Sequence, residues 1–379
     1  VVTVHDDSPA TSAVTGIRVI AVEAIPVALP LRRPMEFASG RIDTADNVLV
    51  RIHSDAGLVG CAEAQARPYT YGETQRSIVA AVRDWFAPRL EGADPLAPER
   101  ARMACAGLAG NLCARAAVEV ALADLAGRVL GLSCAMVLGG AAPSVAVASM
   151  LSFGDPAEMA AEASFLRDAH GIACFKAKVG RDPDLDVAAV TAVREAVPDA
   201  KLYVDANRGW TLAQARRAAP ALIELGVTSI EEPLDLADEA GRRELAAEWA
   251  VPLGGDESCL TLADVAREVA GPVGQVSIKV ARTAFRQSRD VLAHCEATGV
   301  PAIIGSQYEG ALGAWASIAL AAGTAALCDR PAEAGNFLDL AGDLVAPPVI
   351  VDGRVDVPCA PGLGAAIDVD ALSHYRVDR

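Results

Sequence analysis

Residues 173–206 read ACFKAKVGRDPDLDVAAVTAVREAVPDAKLYVDA. The apolar run at 173–179 predicts a strand, and a helix over 183–197 starts on a proline, a residue suited to the first helical turn. A second strand follows over 202–206. Two strands joined by one helix form a βαβ unit, whose strands are parallel and whose crossover is right-handed. The unit repeats in both directions. Strands are predicted at 145–150, 227–232, 252–255, 276–280, 302–306 and 332–335, with helices at 155–169, 211–225, 237–249, 262–270, 285–298 and 313–322. Eight parallel strands with crossover helices close a barrel, so the fold class is α/β, a modified (β/α)8 TIM-type barrel.

The residues before it follow another pattern. Strands over 17–31, 47–53 and 58–63, the last after the turn Ser54-Asp55-Ala56-Gly57, make a small meander. Helices follow over 72–86, 98–109 and 112–130, the last with Ala116, Ala117, Val120, Ala121 and Ala123 on one apolar face. Gly139, Gly140 and Pro143 mark a boundary. The chain thus divides into an N-terminal α+β domain (1–135), a barrel (136–346) and a C-terminal segment (347–379) folding back on the first domain.

Composition narrows the function. The net charge of −16 argues against nucleic acid, which requires a basic face. No apolar run reaches the ~18 residues that span a bilayer. Residues 1–16 read as a loose tail and lack the basic-then-apolar pattern of a signal peptide. Nine scattered cysteines without a C-x-x-C fit a reduced cytoplasmic compartment. Of 33 basic residues only four are lysine: Lys176, Lys178, Lys201 and Lys279. Arginine keeps its proton at ordinary pH and lysine can release one, so these lysines are the first places to look for proton transfer. Lys201, at the start of a strand, reads as incidental.

The polar residues that end the barrel strands are Lys176 and Lys178, then Asp205 with Asn207, Glu231, Asp256, Lys279, and the segment Gly305-Ser306-Gln307-Tyr308-Glu309. From Lys178 to Lys279 the steps are 27, 26, 25 and 23 residues, about one βα unit each. A barrel builds its active site at these carboxyl ends. Any one of the three acids alone would serve to cap the following helix. Together they repel unless a cation lies between them, and an all-oxygen ligand set selects Mg2+ or Mn2+. Lys178 precedes the acids around the ring and Lys279 follows them, so a substrate carboxylate on the metal would lie between two amines. Removing its α-proton gives a dianion that needs concentrated positive charge, to which Lys176 adds. Crowded cations are expected to lower one another's pKa, which would free a lysine to act as a base.

Lys176-Ala177-Lys178, Asp205-Ala206-Asn207-Arg208-Gly209-Trp210, Glu231-Glu232-Pro233-Leu234, Gly255-Asp256-Glu257-Ser258 and Ile278-Lys279 resemble the enolase superfamily, muconate-lactonizing subgroup. The resemblance spans nearly the whole chain. It implies an α+β capping domain on the barrel, Asp205, Glu231 and Asp256 as metal ligands, and Lys178 and Lys279 as the acid/base pair. The mandelate-racemase subgroup, with its histidine after the seventh strand, is disfavoured by Gln307 and Tyr308. In such enzymes the capping domain sets substrate choice. Its candidate loops here are 31–40, with Arg32 and Arg33, and 64–74, with Tyr69 and Tyr71; Asn207, Gln307 and Glu309 are further candidate substrate contacts. Glu309 is also a candidate partner of Lys279. The implied activity is cycloisomerisation of cis,cis-muconate, a small dicarboxylate, to muconolactone. Racemisation or epimerisation of N-acylamino acids or dipeptides, and o-succinylbenzoate synthesis, are the alternatives on the same scaffold. The resemblance also implies a homo-oligomer, an octamer being one form.

Overall fold

The computed structural model describes residues 16–38 and 40–378. The tail expected over 1–16 lies, apart from Gly16, outside the described residues. Strands β1 (Val19–Phe37), β2 (Gly40–Ser54) and β3 (Val59–Gln65) form an antiparallel sheet in that order. The helix Leu112–Leu130 lies across β3 and buries Ala116, Ala117, Val120 and Ala121, the face its periodicity picks out. A Cβ on Gly60 would stand 2.1 Å from the Ala121 carbonyl, so only glycine lets strand and helix approach this closely.

Two local readings change. The loop expected over 31–40 is a β-ribbon: β1 runs on to Phe37, and Glu36 pairs with Arg41 and Met35 with Ile42. Pro30 and Pro34 read as loop residues, but a proline is tolerated on a two-stranded ribbon where its missing N–H faces outward. The register slips between Pro30 and Met35 to take them in. At the ribbon end Met35 and Ile42 pack on Met150 and Tyr308 of the barrel rim. The helix expected over 72–86 starts at Gln75, capped by Thr74, and passes through a π turn, Ala81–Phe86, to reach Leu90. Pro88 cannot donate and crowds the carbonyl four residues before it; the wider turn ahead relieves that clash.

The barrel strands are β4 (Ser144–Leu151), β5 (Cys174–Lys178), β6 (Lys201–Asp205), β7 (Val227–Glu231), β8 (Leu253–Gly255), β9 (Val273–Ile278), β10 (Ala302–Ile304) and β11 (Ala332–Glu333). Neighbours from β4 to β10 pair in parallel, and β11 pairs in parallel with the free side of β4. Seven helices link the eight strands. After β11 there is only a 3-10 turn, Asn336–Asp339, where an eighth helix would stand. The chain then forms the hairpin β12 (Ile350–Val351) and β13 (Arg354–Asp356), with β13 antiparallel to β4. It returns to the N-terminal domain: Leu363 N–H donates to Asp124 Oδ1 (2.7 Å) and Val377 N–H to the Pro26 carbonyl (3.0 Å). The fold is therefore a TIM-type barrel carrying an N-terminal α+β capping domain. No helix among the described residues is long and apolar enough to cross a membrane.

Candidate active site

The strand register brings the acids level with one another. Lys178 pairs with Asp205 across β5 and β6, and Asp205 with Glu231 across β6 and β7. Asp256 follows β8 directly. Helix capping does not claim these acids. The helices after β5, β6, β7 and β8 are capped by Asp182, Thr211, Asp238 and Thr261. Asp205, Glu231 and Asp256 are left to face the barrel axis. One carboxylate oxygen from each lies within 4.8 Å of the others, and all three residues are buried. Asn207, two residues after Asp205, and Glu232, next to Glu231, adopt left-handed φ of 40° and 39°. Such conformations cost of order 1–3 kcal/mol in non-glycine residues and gather at functional sites.

The four cations around this row are fixed by it. Lys176 Nζ lies 2.7 Å from Glu231 Oε1, 3.1 Å from Asp205 Oδ2 and 3.3 Å from Glu333 Oε1. Lys178 Nζ donates to Asp205 Oδ2 and Asn207 Oδ1, both at 2.7 Å. On the opposite flank Lys279 Nζ reaches Asp256 Oδ2 at 2.6 Å and the Tyr71 hydroxyl at 3.5 Å. Arg282, one helical turn beyond, donates to Asp256 Oδ1 (2.5 Å) and to the Tyr71 hydroxyl (2.7 Å). Gly305 makes room for Lys279: a Cβ there would stand 2.1 Å from Ser277 Oγ and 3.2 Å from Lys279 Cε.

The titration of these groups is set by burial opposed by charge. Burial pushes Asp205 and Asp256 up, but Lys176 and Lys178 on the first, and Lys279 and Arg282 on the second, hold both below the ordinary carboxyl range. Burial dominates at Glu231, whose carboxyl is raised well above normal with Asp205 and Asp256 adding to the push. Burial lowers Lys279, and Asp256 and Tyr71 outweigh it, so its pKa is raised. This differs from the expectation of a lysine lowered by crowded cations. Lys176 and Arg282 do lower it, but the adjacent carboxylate is closer and wins.

A small cavity opens beside the row, walled by Tyr71, Lys178, Asn207, Lys279 and Gln307, all picked out by the sequence, and by Arg67 and Glu257 besides. Two candidates stand elsewhere. Tyr69 is 39% exposed and lies against Gly40 of the ribbon. Glu309 is buried one layer behind the wall, accepting from Ser306 Oγ and, at 2.8 Å, from Gln307 N–H; its partner is thus the loop and not Lys279. Arg33 pairs with Glu162, and Arg32 donates to the Leu338 carbonyl, so neither is a wall residue.

Several residues of the site escape a reading of the sequence. Glu333 accepts from Tyr203 Oη at 2.8 Å and from Ser306 N–H at 3.2 Å, linking β6, β10 and β11 beside Lys176. It obeys the same strand-end pattern as the other acids, but on a two-residue strand. Arg282 sits three residues after Lys279, in the first turn of the helix that Lys279 precedes, and both reach Asp256. Glu232 accepts from Asp256 N–H (2.6 Å) and Ser258 N–H (2.8 Å), fixing the loop that carries Asp256.

Residues 19–139 match the family model of the mandelate racemase / muconate lactonizing enzyme N-terminal domain, and residues 158–371 the enolase C-terminal domain-like model. The chain is 41% identical to a muconate lactonizing enzyme from Mucobacterium Smegmatis solved in complex with muconolactone. That match covers 95% of this chain and all of the other, with a TM-score of 0.93. It is 31% identical to muconate cycloisomerase 1-2 of Acinetobacter lwoffii, over 96% of this chain and 97% of the relative. It is equally 31% identical to L-Ala-D/L-Glu epimerase of Bacillus subtilis (strain 168), over 80% of this chain and 85% of that protein.

Proposed function

The chain belongs to the mandelate racemase / muconate lactonizing enzyme family of the enolase superfamily, in its muconate-lactonizing subgroup, and from that premise we propose that it is a metal-dependent cycloisomerase converting cis,cis-muconate to muconolactone. The observation that carries the reading is the row of three buried carboxylates with Lys178 on one flank and Lys279 on the other. Asp205, Glu231 and Asp256 would hold Mg2+ or Mn2+: the donors are all oxygen, buried and convergent, which suits a hard cation. Bound there, the cation supplies positive charge to a substrate carboxylate and offsets the pull of these acids on the lysines.

The chain's own groups supply the rest. Tyr71, from the capping domain, covers the cavity and is tied to the barrel through Arg282 and Lys279. Asn207 and Gln307 line the walls and orient the substrate. One substrate carboxylate oxygen forms a bond to a carbon of the diene. The displaced electron pair moves toward the carbon beside the other carboxylate, and a lysine ammonium delivers a proton to that carbon. Lys178 and Lys279 approach from the two flanks, so both faces of the substrate have a donor. Water is kept out by the ribbon end, whose Met35 and Ile42 seal against Met150 and Tyr308.

Two opposed lysines are also what a racemase or epimerase needs, and the likeness to L-Ala-D/L-Glu epimerase supports that second reading. One experiment separates the two. With Mg2+ or Mn2+ added, the cycloisomerase consumes the ultraviolet absorbance of cis,cis-muconate. Silence with muconate, together with deuterium uptake from solvent into a dipeptide or N-acylamino acid, replaces it with the epimerase.

A further inference from the structure

Among the described residues, Arg67 is the basic residue of the cavity wall whose charge the reaction described above does not use. It stands in the capping domain at the start of a closed loop, where Arg67 and Glu73 bridge in antiparallel fashion. The Glu73 carboxylate pins that loop to the N-terminus of the helix Leu112–Leu130 by accepting from Cys113 N–H (2.8 Å) and Ala114 N–H (3.2 Å). Arg67 is therefore held on a rigid base. It is 5% exposed and forms part of the same cavity wall as the barrel lysines Lys178 and Lys279.

Its bonds are unusual for a buried guanidinium. It donates to two carbonyls, Ala66 O at 2.6 Å and Tyr308 O at 3.1 Å, and its hydrogen bonds among the described residues include no carboxylate. Asp46 feels its field but does not come within ion-pair distance. A buried cation without a counter-ion is costly, and this one lies in a chain of net charge −16 with acids in excess. The chain thus keeps, in the wall of its substrate cavity, a positive charge that no carboxylate among the described residues bonds.

We propose that Arg67 binds the second anionic group of the substrate, the one not held at the row of acids, and that it is the residue that sets a preference for dianions. The inference rests on the reading of the cavity as the active site and adds the residue that recognises the second charge of its ligand. The planar guanidinium suits a carboxylate, to which it can offer two parallel N–H groups. Its bond to the Tyr308 carbonyl aligns it: Tyr308 is left-handed, at φ 66°, and is held in turn by Ser306 Oγ and Asp339. Capping loop and barrel loop thereby present one cation to the cavity between them.

The test is calorimetric titration of the Mg2+-loaded enzyme with adipate and with hexanoate, which share chain length and differ by one carboxylate. The unmodified enzyme binds adipate at least tenfold more tightly, a difference of about 1.4 kcal/mol. In Arg67→Gln, which can still donate to the Tyr308 carbonyl, the ratio falls to near one while hexanoate affinity changes less than threefold. Arg67→Lys keeps most of the preference. A ratio unchanged in Arg67→Gln overturns the proposal, as does equal loss of both ligands, since a merely structural residue would weaken both alike. Failure to consume muconate with the adipate preference intact overturns the cycloisomerase reading alone and leaves the anion site standing.

Discussion

Lys178 and Lys279 are separated in sequence by 101 residues and in space by one row of acids, each donating to the carboxylate nearest it. Methionine matches the length of lysine without its charge. Lys178→Met and Lys279→Met should each lower turnover by about 10²–10⁴ or more, the usual worth of a positioned acid or base. Metal affinity, measured by titration, should change little; activity surviving in both variants would remove the lysines from the chemistry. These residues are legible in the sequence because the barrel unit repeats at nearly constant length and places each strand end at the same level. Glu333 and Arg67 are not: one ends a strand too short to show a pattern, and the other becomes significant only when no acid is found beside it. A different residue shows what sequence cannot reveal at all. Ala284 forms the kink between the two helical pieces of Val280–Thr298, at φ 51°, ψ −162°, a region essentially reserved for glycine. Relief of strain, about 1–3 kcal/mol, competes with about 0.5–1 kcal/mol for the added freedom of glycine and about 0.8 kcal/mol for the lost buried methyl. Ala284→Gly is therefore expected to fall between about 1 kcal/mol less and about 2 kcal/mol more stable than the parent, with the balance slightly favourable. Ala293→Gly, exposed in the same helix, should cost about 1 kcal/mol. Urea midpoints for the pair decide it, and equal losses in both would mean that Ala284 carries no strain.

The helix Ala311–Gly323 illustrates the scale of elements. Its residues are mostly Ala, Gly and Ser and almost all buried, so it packs closely against its neighbours, and Gly310 before it offers no side-chain cap. The orphan N–H groups are taken by acids from elsewhere. Glu63 on β3 accepts from Gly310 N–H (3.0 Å) and Gly313 N–H (3.1 Å), and Asp343 accepts from Ala311 N–H (2.7 Å). An ionised acid ordinarily suits a helix N-terminus. Here burial, with the charge of Asp343 added, pushes Glu63 up to about 7. A carboxyl raised on folding favours the folded state most below its unfolded value, about 4.3, and that contribution is lost as pH rises through 7. Chemical denaturation of the parent and of Glu63→Gln should therefore give a stability difference that shifts against the parent between about pH 4.5 and 7. A difference constant across that window would show that Glu63 does not titrate there. The legibility of elements follows the same physics. Barrel strands and helices declare themselves by period and by Asp or Thr caps. The ribbon of β1 and β2 does not, because its prolines carry the signature of a loop and only pairing across the ribbon overrides it. Nor does the replacement of an eighth helix by the turn Asn336–Asp339, since that segment is decided by contacts with distant chain: Asp339 with Tyr308, and Leu340 with Leu31.

At the scale of the molecule the proposed active site belongs to neither domain alone. The row of acids is entirely barrel, whereas Arg67 and Tyr71 come from the capping domain, and Tyr71 is bonded to Arg282 beside Asp256. Three further ties cross the same boundary. Glu63 caps a barrel helix, Glu119 accepts from Arg286 N–H at 2.9 Å, and the returning C-terminal segment is bonded to Asp124 and Pro26. Buried Asp124 also accepts from Cys61 N–H at 2.8 Å, so the segment is stitched directly to β3. Ties this numerous and this buried should make the two domains unfold together. The metal offers a way to see it, because its three proposed ligands sit on adjacent strands of the barrel only. A ligand that binds the folded state alone stabilises it by about 2.7 kcal/mol at one hundred times its Kd. Scanning calorimetry of the chelator-treated protein and of the same protein in excess Mg2+ should show one transition that moves upward as a whole by a few degrees. If instead a second, metal-independent transition remained in place while the other rose, the capping domain would be melting on its own. The ties across the boundary would then be too weak to couple it to the barrel. A site assembled from both halves would in that case have to be closed by the substrate and not by the fold.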